Sequence, residues 1–240
     1  MNQLLHRELL PPAIPETDCR ACAMRPFCSA DQEAGATAHV CAAERRYRLG
    51  RGDHLYHMDD PVRPAIYLVR SGCLKLYQLN QDGVQRIIDF LGAGDWLGMD
   101  AIESPRQHSC ALALSDCVVD SVPYNRVMSM LARQPRSAEQ FSHRIAAEIT
   151  RQQTLSAILR SASAEQRVAH FLLDRAGPAP AQGQPERMVG LPMSRQDIGD
   201  FLGLTPSTVS RILSQFRNRN WITLRTRGFV LLERELLGAC

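Results

Sequence analysis

Residues 191–232 read LPMSRQDIGDFLGLTPSTVSRILSQFRNRNWITLRTRGFVLL. Ser194 is placed to cap a helix whose third position is Asp197, close to a capping box. Ile198, Phe201 and Leu202 recur at helical spacing, and Gly203 stands where a left-handed residue ends the run. A second helix begins with Thr205 as N-cap and Pro206 at its first position. Val209, Ile212, Leu213 and Phe216 make one apolar face of it. Ser207, Ser210, Arg211 and Ser214 make the other, short and hydrogen-bonding with a single forked cation. A helix showing that face to solvent just after a partner helix has what reading a DNA major groove requires. WITL and FVLL follow as short strands around Arg225-Thr226-Arg227-Gly228, which reads as a basic wing. The stretch is a winged helix-turn-helix. A hairpin used only for packing would leave the Ser/Arg face and the wing without a purpose.

At 240 residues the chain has room for one or two domains, each with its own core. The net charge of +3 is modest, yet Arg211, Arg217, Arg219, Arg225 and Arg227 follow one another with no acid between them. That patch suits phosphate contacts, and double-stranded DNA is the expected partner. No apolar run approaches the roughly 18 residues of a membrane span, and the first residues lack a signal pattern. A cytoplasmic protein with no membrane partner is expected. In that compartment the eight cysteines point to metal or redox chemistry rather than disulfides.

Residues 1–35 read as an arm and a cysteine loop. Cys19, Cys22 and Cys28, spaced C-x2-C-x5-C, can converge on one metal centre, and thiolates suit zinc or an iron–sulfur cluster. Structural zinc usually takes two close couples of ligands; no second couple is present, which favours the cluster. Residues 36–134 carry short apolar runs such as AIYLVR, LKLYQL and RIIDF between turn signals, with Asp82-Gly83 the strongest hairpin signal. An antiparallel sandwich or barrel is expected there. Residues 135–162 read as one long helix, and Phe141, Ile145, Ile149, Gln152, Leu155, Ile158 and Leu159 share a stripe spaced like a coiled-coil seam. A parallel homodimer is expected from it, with Ile145, Ile149, Gln152, Leu155 and Leu159 in the interface. The alternative is an amphipathic helix packed on its own domain. A helix from Ala164 to Arg175 and the loop GPAPAQGQP then lead into a DNA-binding domain spanning 163–240.

The order of parts, with VRSGCLKL, GAGDWLGMD and DIGDFLGLTPSTVSRIL, resembles the CRP/FNR family of transcription regulators over nearly the whole chain. The resemblance implies an α+β fold: a cyclic-nucleotide-binding-like antiparallel β-roll, a long dimerisation helix and a winged helix-turn-helix. The N-terminal C-x2-C-x5-C resembles the oxygen-sensing fumarate and nitrate reduction branch. It implies a [4Fe–4S] cluster that promotes dimerisation and DNA binding and is lost to oxygen. Cys19, Cys22 and Cys28 match three of that branch's ligands. The fourth position falls on Asp120, while Cys117 lies three residues earlier; some relatives use an aspartate there. The two face opposite sides of a regular strand, so one of them serves, and the sequence leaves the choice open. Cys110 and Cys41 are lesser candidates; Cys73 and Cys240 read as packing and tail residues.

No cyclic nucleotide is expected. In the family's cyclic-nucleotide branch the resemblance implies a glutamate for the ribose and an arginine for the phosphate; those positions here are Met99 and His108, ahead of Ser109. The resemblance places Thr205, Ser207, Thr208, Ser210, Arg211, Ser214, Arg225 and Arg227 at the DNA, with Arg211 on a guanine. Ser207 replaces the family's glutamate, which implies an altered half-site within an inverted repeat. Gln152 replaces an acid in the seam, so a dimer less dependent on the cluster is expected, and the 80–85 hairpin resembles the family's RNA polymerase contact. The rivals are a family member sensing through bare thiols or zinc, and a metal or redox enzyme with an accessory helix-turn-helix. With no nucleophile–base pair or phosphate loop, an enzyme is not expected.

Overall fold

The computed structural model describes residues 43–133, 135–179, 188–226 and 228–239. Cys19, Cys22, Cys28, Cys41, Arg227 and Cys240 lie outside them, as does most of the GPAPAQGQP loop. The chain divides into two compact units, Met1–Ala147 and Glu148–Cys240.

The first unit is the expected antiparallel roll. Its strands are β1 (Arg45–Leu49), β2 (His54–Tyr56), β3 (Ala65–Ser71), β4 (Leu74–Leu79), β5 (Gln85–Leu91), β6 (Trp96–Leu97), β7 (Cys110–Ala113) and β8 (Cys117–Pro123). They form two four-stranded sheets, ordered β1-β8-β3-β6 and β2-β7-β4-β5. Strand β3 shows how the core is divided. Ala65, Tyr67 and Val69 point into the roll with Leu55, Leu74, Ala111 and Val119. Ile66 and Leu68 point the other way, into a second cluster with Trp96, Val122 and Val127. Both faces of β3 are thus covered, which is why it reads as a continuous apolar run. Between β4 and β5 the Asn80 Oδ1 accepts from the Asp82 and Val84 amides at 3.0 and 2.8 Å, closing the turn that Asp82-Gly83 predicts.

Helix α1 (Tyr124–Arg133) was not foreseen. It starts directly after Pro123, and its Val127, Met130 and Leu131 fall on one side, against the outer face of the β1-β8-β3-β6 sheet. Helix α2 (Pro135–Ser161) is the expected long helix at 27 residues. Its start is tied to the roll. The Phe141 and Trp96 rings lie 5.7 Å apart, and the Arg144 guanidinium donates to the Gly94 carbonyl at 3.1 Å. Phe141 therefore packs on its own unit. The division between the units falls inside α2, so this helix is shared by both rather than standing as a domain of its own.

The second unit contains α3 (Ala164–Ala176), β9 (Met188–Gly190), α4 (Arg195–Leu202), α5 (Pro206–Asn218), β10 (Ile222–Arg225), β11 (Gly228–Leu231) and α6 (Arg234–Gly238). Ser163 and Gln166 close a capping box at the start of α3. The wing is a three-stranded sheet ordered β10-β11-β9. Strand β9 was not expected from the sequence; it pairs with β11, and a Cβ at Gly228 would collide with the Val189 carbonyl.

Candidate nucleic-acid interface and sensor site

The helix-turn-helix is assembled from local signals. Ser194 accepts from the Asp197 amide at 3.0 Å, and Asp197 returns the bond to the Ser194 amide at 3.0 Å, a full capping box. Helix α4 ends at Gly203 in the left-handed region, φ 66 and ψ 40. Gly199 lets the next turn pass close, since a Cβ there would lie 2.5 Å from the Leu204 carbonyl oxygen. Thr205 then caps α5, its hydroxyl accepting from the Thr208 amide at 3.2 Å.

Helix α5 separates its two faces cleanly. Val209, Ile212, Leu213 and Phe216 are 0–1% exposed. Ser207, Ser210 and Arg211 are exposed, and Thr208 and Ser214 partly so. The Thr205 hydroxyl lies 2.9 Å from both the Ser207 and the Thr208 hydroxyls. Three hydroxyls therefore gather at the N-terminal end of the helix, where the sequence has a serine in place of a carboxylate. Arg225 is exposed at the end of β10. Arg219, a member of the sequence's basic patch, lies over the Trp221 ring at 4.9 Å and 3.7 Å from Glu165, so part of its charge serves packing. The Arg217 guanidinium leans on the Asn218 side-chain oxygen at 3.4 Å.

The two candidates for a fourth ligand sit on opposite faces of β8. Cys117 is buried in the roll's interior cluster. Its thiol donates to the Cys73 and Ser115 carbonyls at 3.3 and 3.2 Å. Burial pushes the Cys117 thiol up, against the lowering by those hydrogen bonds, and so disfavours the thiolate a metal needs. Asp120 points out of the roll, on the side of Val122. It faces Arg46 directly across the β1–β8 pair. The Arg46 Nε donates to Oδ1 at 2.7 Å and Nη2 to Oδ2 at 3.1 Å, a bidentate pair. Arg70 Nε stands 3.6 Å from Oδ2. Neither arginine was singled out in the sequence, because Arg46 lies 74 residues from its partner and only the strand register joins them. Ala43, just before β1, packs on the outer cluster that contains Val122.

Of the cyclic-nucleotide positions, Met99 follows Gly98 in a short helical turn and leans on the outer cluster. His108 is exposed and Ser109 is buried. Along α2 only Ser137 is buried. Ile145, Leu155, Ile158 and Leu159 are partly exposed, and Ile149 is 52% exposed. The Gln152 amide donates to Glu148 Oε1 at 2.9 Å, one turn back. Arg151 forks onto the same carboxylate at 2.9 and 3.1 Å and reaches Asp174 at 3.8 Å, so its charge is compensated within the unit.

A β-roll followed by a long helix and a winged helix-turn-helix defines a DNA-binding transcription regulator. Comparison with known proteins agrees at both ends. Residues 46–134 match the cyclic nucleotide-binding domain, and residues 166–240 match the Crp-like helix-turn-helix domain. The chain is 30% identical over 195 residues to the fumarate and nitrate reduction regulatory protein of Yersinia pestis, covering 81% of this chain and 78% of that one. It is 31% identical over 189 residues to the protein of the same name from Vibrio cholerae, covering 79% and 75%. The solved structure of FixK2 from Bradyrhizobium japonicum superposes with a TM-score of 0.69 at 30% identity, over 81% of this chain and 95% of that one. The chain belongs to the CRP/FNR family of transcription regulators, and it is not an enzyme. Among the described residues no helix is long and apolar enough to cross a membrane.

Proposed function

We propose that this regulator senses oxygen through a [4Fe–4S] cluster held by Cys19, Cys22, Cys28 and Asp120, and that the cluster controls pairing of two copies through α2 and their binding to a palindromic DNA site. The observation that carries the reading is the face of β8 on which Asp120 lies. Asp120 offers a carboxylate on the outer face, where Ala43, the first described residue after the three cysteines, also packs. Cys117 offers a protonated-favoured thiol on the inner side, bonded to two carbonyls. The donor set fits: three thiolates and one carboxylate suit iron, and a carboxylate is the harder, more exchangeable member. When bound, the group supplies iron and sulfide that oxygen degrades.

The chain's own residues supply the response. Val122, two residues beyond Asp120, shares its cluster with Phe141 of α2, so the ligand strand and the start of the dimer helix pack together. The stripe Ile145, Ile149, Gln152, Leu155 and Leu159 is completed by a second copy of the helix, in the manner of a coiled-coil seam. Two copies of α5 then present Thr205, Ser207, Thr208, Ser210, Arg211 and Ser214 to successive major grooves, with Arg225 and Arg227 of the wing at the phosphates. Relatives bearing the fumarate and nitrate reduction name support this branch. RNA polymerase is the further partner, through the hairpin that presents exposed Leu79 and Val84.

The test is anaerobic purification with iron and sulfide assays, an absorption spectrum and DNA binding, each before and after air. About four irons and four sulfides per chain are expected, with a broad visible band that air bleaches together with specific DNA binding. A colourless protein binding DNA equally in both states would remove the cluster and leave the regulator.

A further inference from the structure

We propose that one end of the β1-β8-β3-β6 sheet, on the side facing the roll's interior, binds a small organic monoanion. Arg45 and Arg63 would take its carboxylate, and tyrosine rings its apolar body. The site lies within the first unit and does not depend on the cluster.

Strand register builds the floor. Arg45 faces Ser121 across β1 and β8, and Ser121 faces Tyr67 across β8 and β3. Residues paired in this way show their side chains on one face, and Tyr67 fixes that face as the inner one. Tyr47, two residues beyond Arg45, returns to the same face and sets its ring 6.3 Å from that of Tyr67. The start of α1 closes one wall, where the Tyr124 amide donates to the Pro64 carbonyl at 2.9 Å. Arg63 precedes that proline. These residues line an open cavity of about 430 Å³, the size of a small-molecule pocket.

The chemistry of the lining selects the ligand. Its charged residues are Arg45, Arg63 and Glu44. Two guanidinium groups against one carboxylate leave a single positive charge, which suits a monoanion better than a dianion. A guanidinium fork matches a planar carboxylate with paired N–H donors. Burial and the neighbouring Tyr47 push the Tyr67 phenol up to about 12, while Arg63 and Arg45 pull it down. Both cations therefore act at the Tyr67 oxygen, and the phenol keeps its proton as a donor. Ser121 and Tyr67 are each 7% exposed, and among the described residues neither hydroxyl has a hydrogen-bond partner. Buried hydroxyls call for partners, and the oxygens of a carboxylate in the cavity supply them. The Tyr47 and Tyr67 rings, with Ala65 and Pro123, offer apolar surface beside the charges.

The test is calorimetric titration of the full-length protein with benzoate, with phenyl phosphate and benzylamine as contrasts. Benzoate is expected to bind more tightly than phenyl phosphate, and benzylamine is not expected to bind. Arg63 is exposed, so Arg63→Gln should keep the fold, which a thermal melt checks. It should weaken benzoate binding about tenfold or more, the loss of a charge-assisted pair. Tyr67→Phe keeps the ring and removes the donor, and should weaken binding about threefold to tenfold. Wild type that binds no benzoate overturns the site. Benzoate binding that neither variant weakens lies elsewhere on the molecule and overturns it too. Phenyl phosphate binding more tightly than benzoate overturns the assignment to a monoanion.

Discussion

Helices α5 and α2 are both amphipathic, and they are finished in different ways. In α5, 13 residues long, Val209, Ile212, Leu213 and Phe216 are sealed at 0–1% exposure by the unit they belong to. In α2, 27 residues long, one serine is buried and the apolar stripe from Ile145 onward is left partly open. A helix whose apolar face is filled by its own chain has one resting place, and its polar face is held ready for DNA. A helix whose apolar face the described residues leave open has room for a further partner, and the proposed pairing of two copies would act there. The difference separates a helix fixed by its own unit from one whose proposed partner is a second copy.

The largest effect should come from breaking the closed helix. Phe216→Ala removes a fully buried ring and is expected to cost about 3–5 kcal/mol of stability in the second unit, seen as a lower thermal midpoint with loss of specific DNA binding. A smaller effect should come from the open helix, and it should appear in association alone. Ile149→Glu puts a charge in the seam and is expected to weaken pairing by about 2–3 kcal/mol. Because Ile149 is half exposed in the single chain, its own unfolding should move by no more than about 0.5 kcal/mol. Sedimentation and thermal melts of the same sample separate the two.

Two finer changes sharpen the account of α5. Arg211→Ala should relax the preference for one base pair per half-site, at about 1–3 kcal/mol of discrimination, read by binding to a set of single-base operator variants. Thr205→Ala removes the cap and should cost roughly 1 kcal/mol of stability in chemical unfolding. An Arg211→Ala protein that loses affinity evenly for every sequence would mean that Arg211 touches phosphate and not a base.

The same contrast explains what could be read from the sequence. The helix-turn-helix is written in signals a few residues apart: Ser194 with Asp197, Gly203, Thr205 before Pro206, and a four-residue apolar face. Each is a local rule, and the structure keeps each one. The roll was legible as a class, because alternating runs and turns specify antiparallel strands. Helix α1 and strand β9 were not, since the first gains its place from packing on the outer sheet and the second, three residues long, from pairing with β11. Phe141 falls on the stripe by spacing, and the contact with Trp96 that the structure gives it comes from a strand 45 residues earlier. The bond from Gln152 to Glu148 one turn back adds a contact that the stripe's spacing does not specify. The surroundings of Cys117 and Asp120 depended on which face of β8 turns to the roll's interior. The partner of Asp120 depended on a register set 74 residues away. Neither is a local property.

The most direct test of the account is the association constant of the full-length protein, by sedimentation, with the cluster loaded and again after air has removed it. A tight dimer is expected when loaded and a clearly weaker, though not abolished, dimer afterwards, because Gln152 spares the seam the repulsion of facing acids. The same association constant in both states would contradict it, and the open stripe of α2 would then not be under the sensor's control.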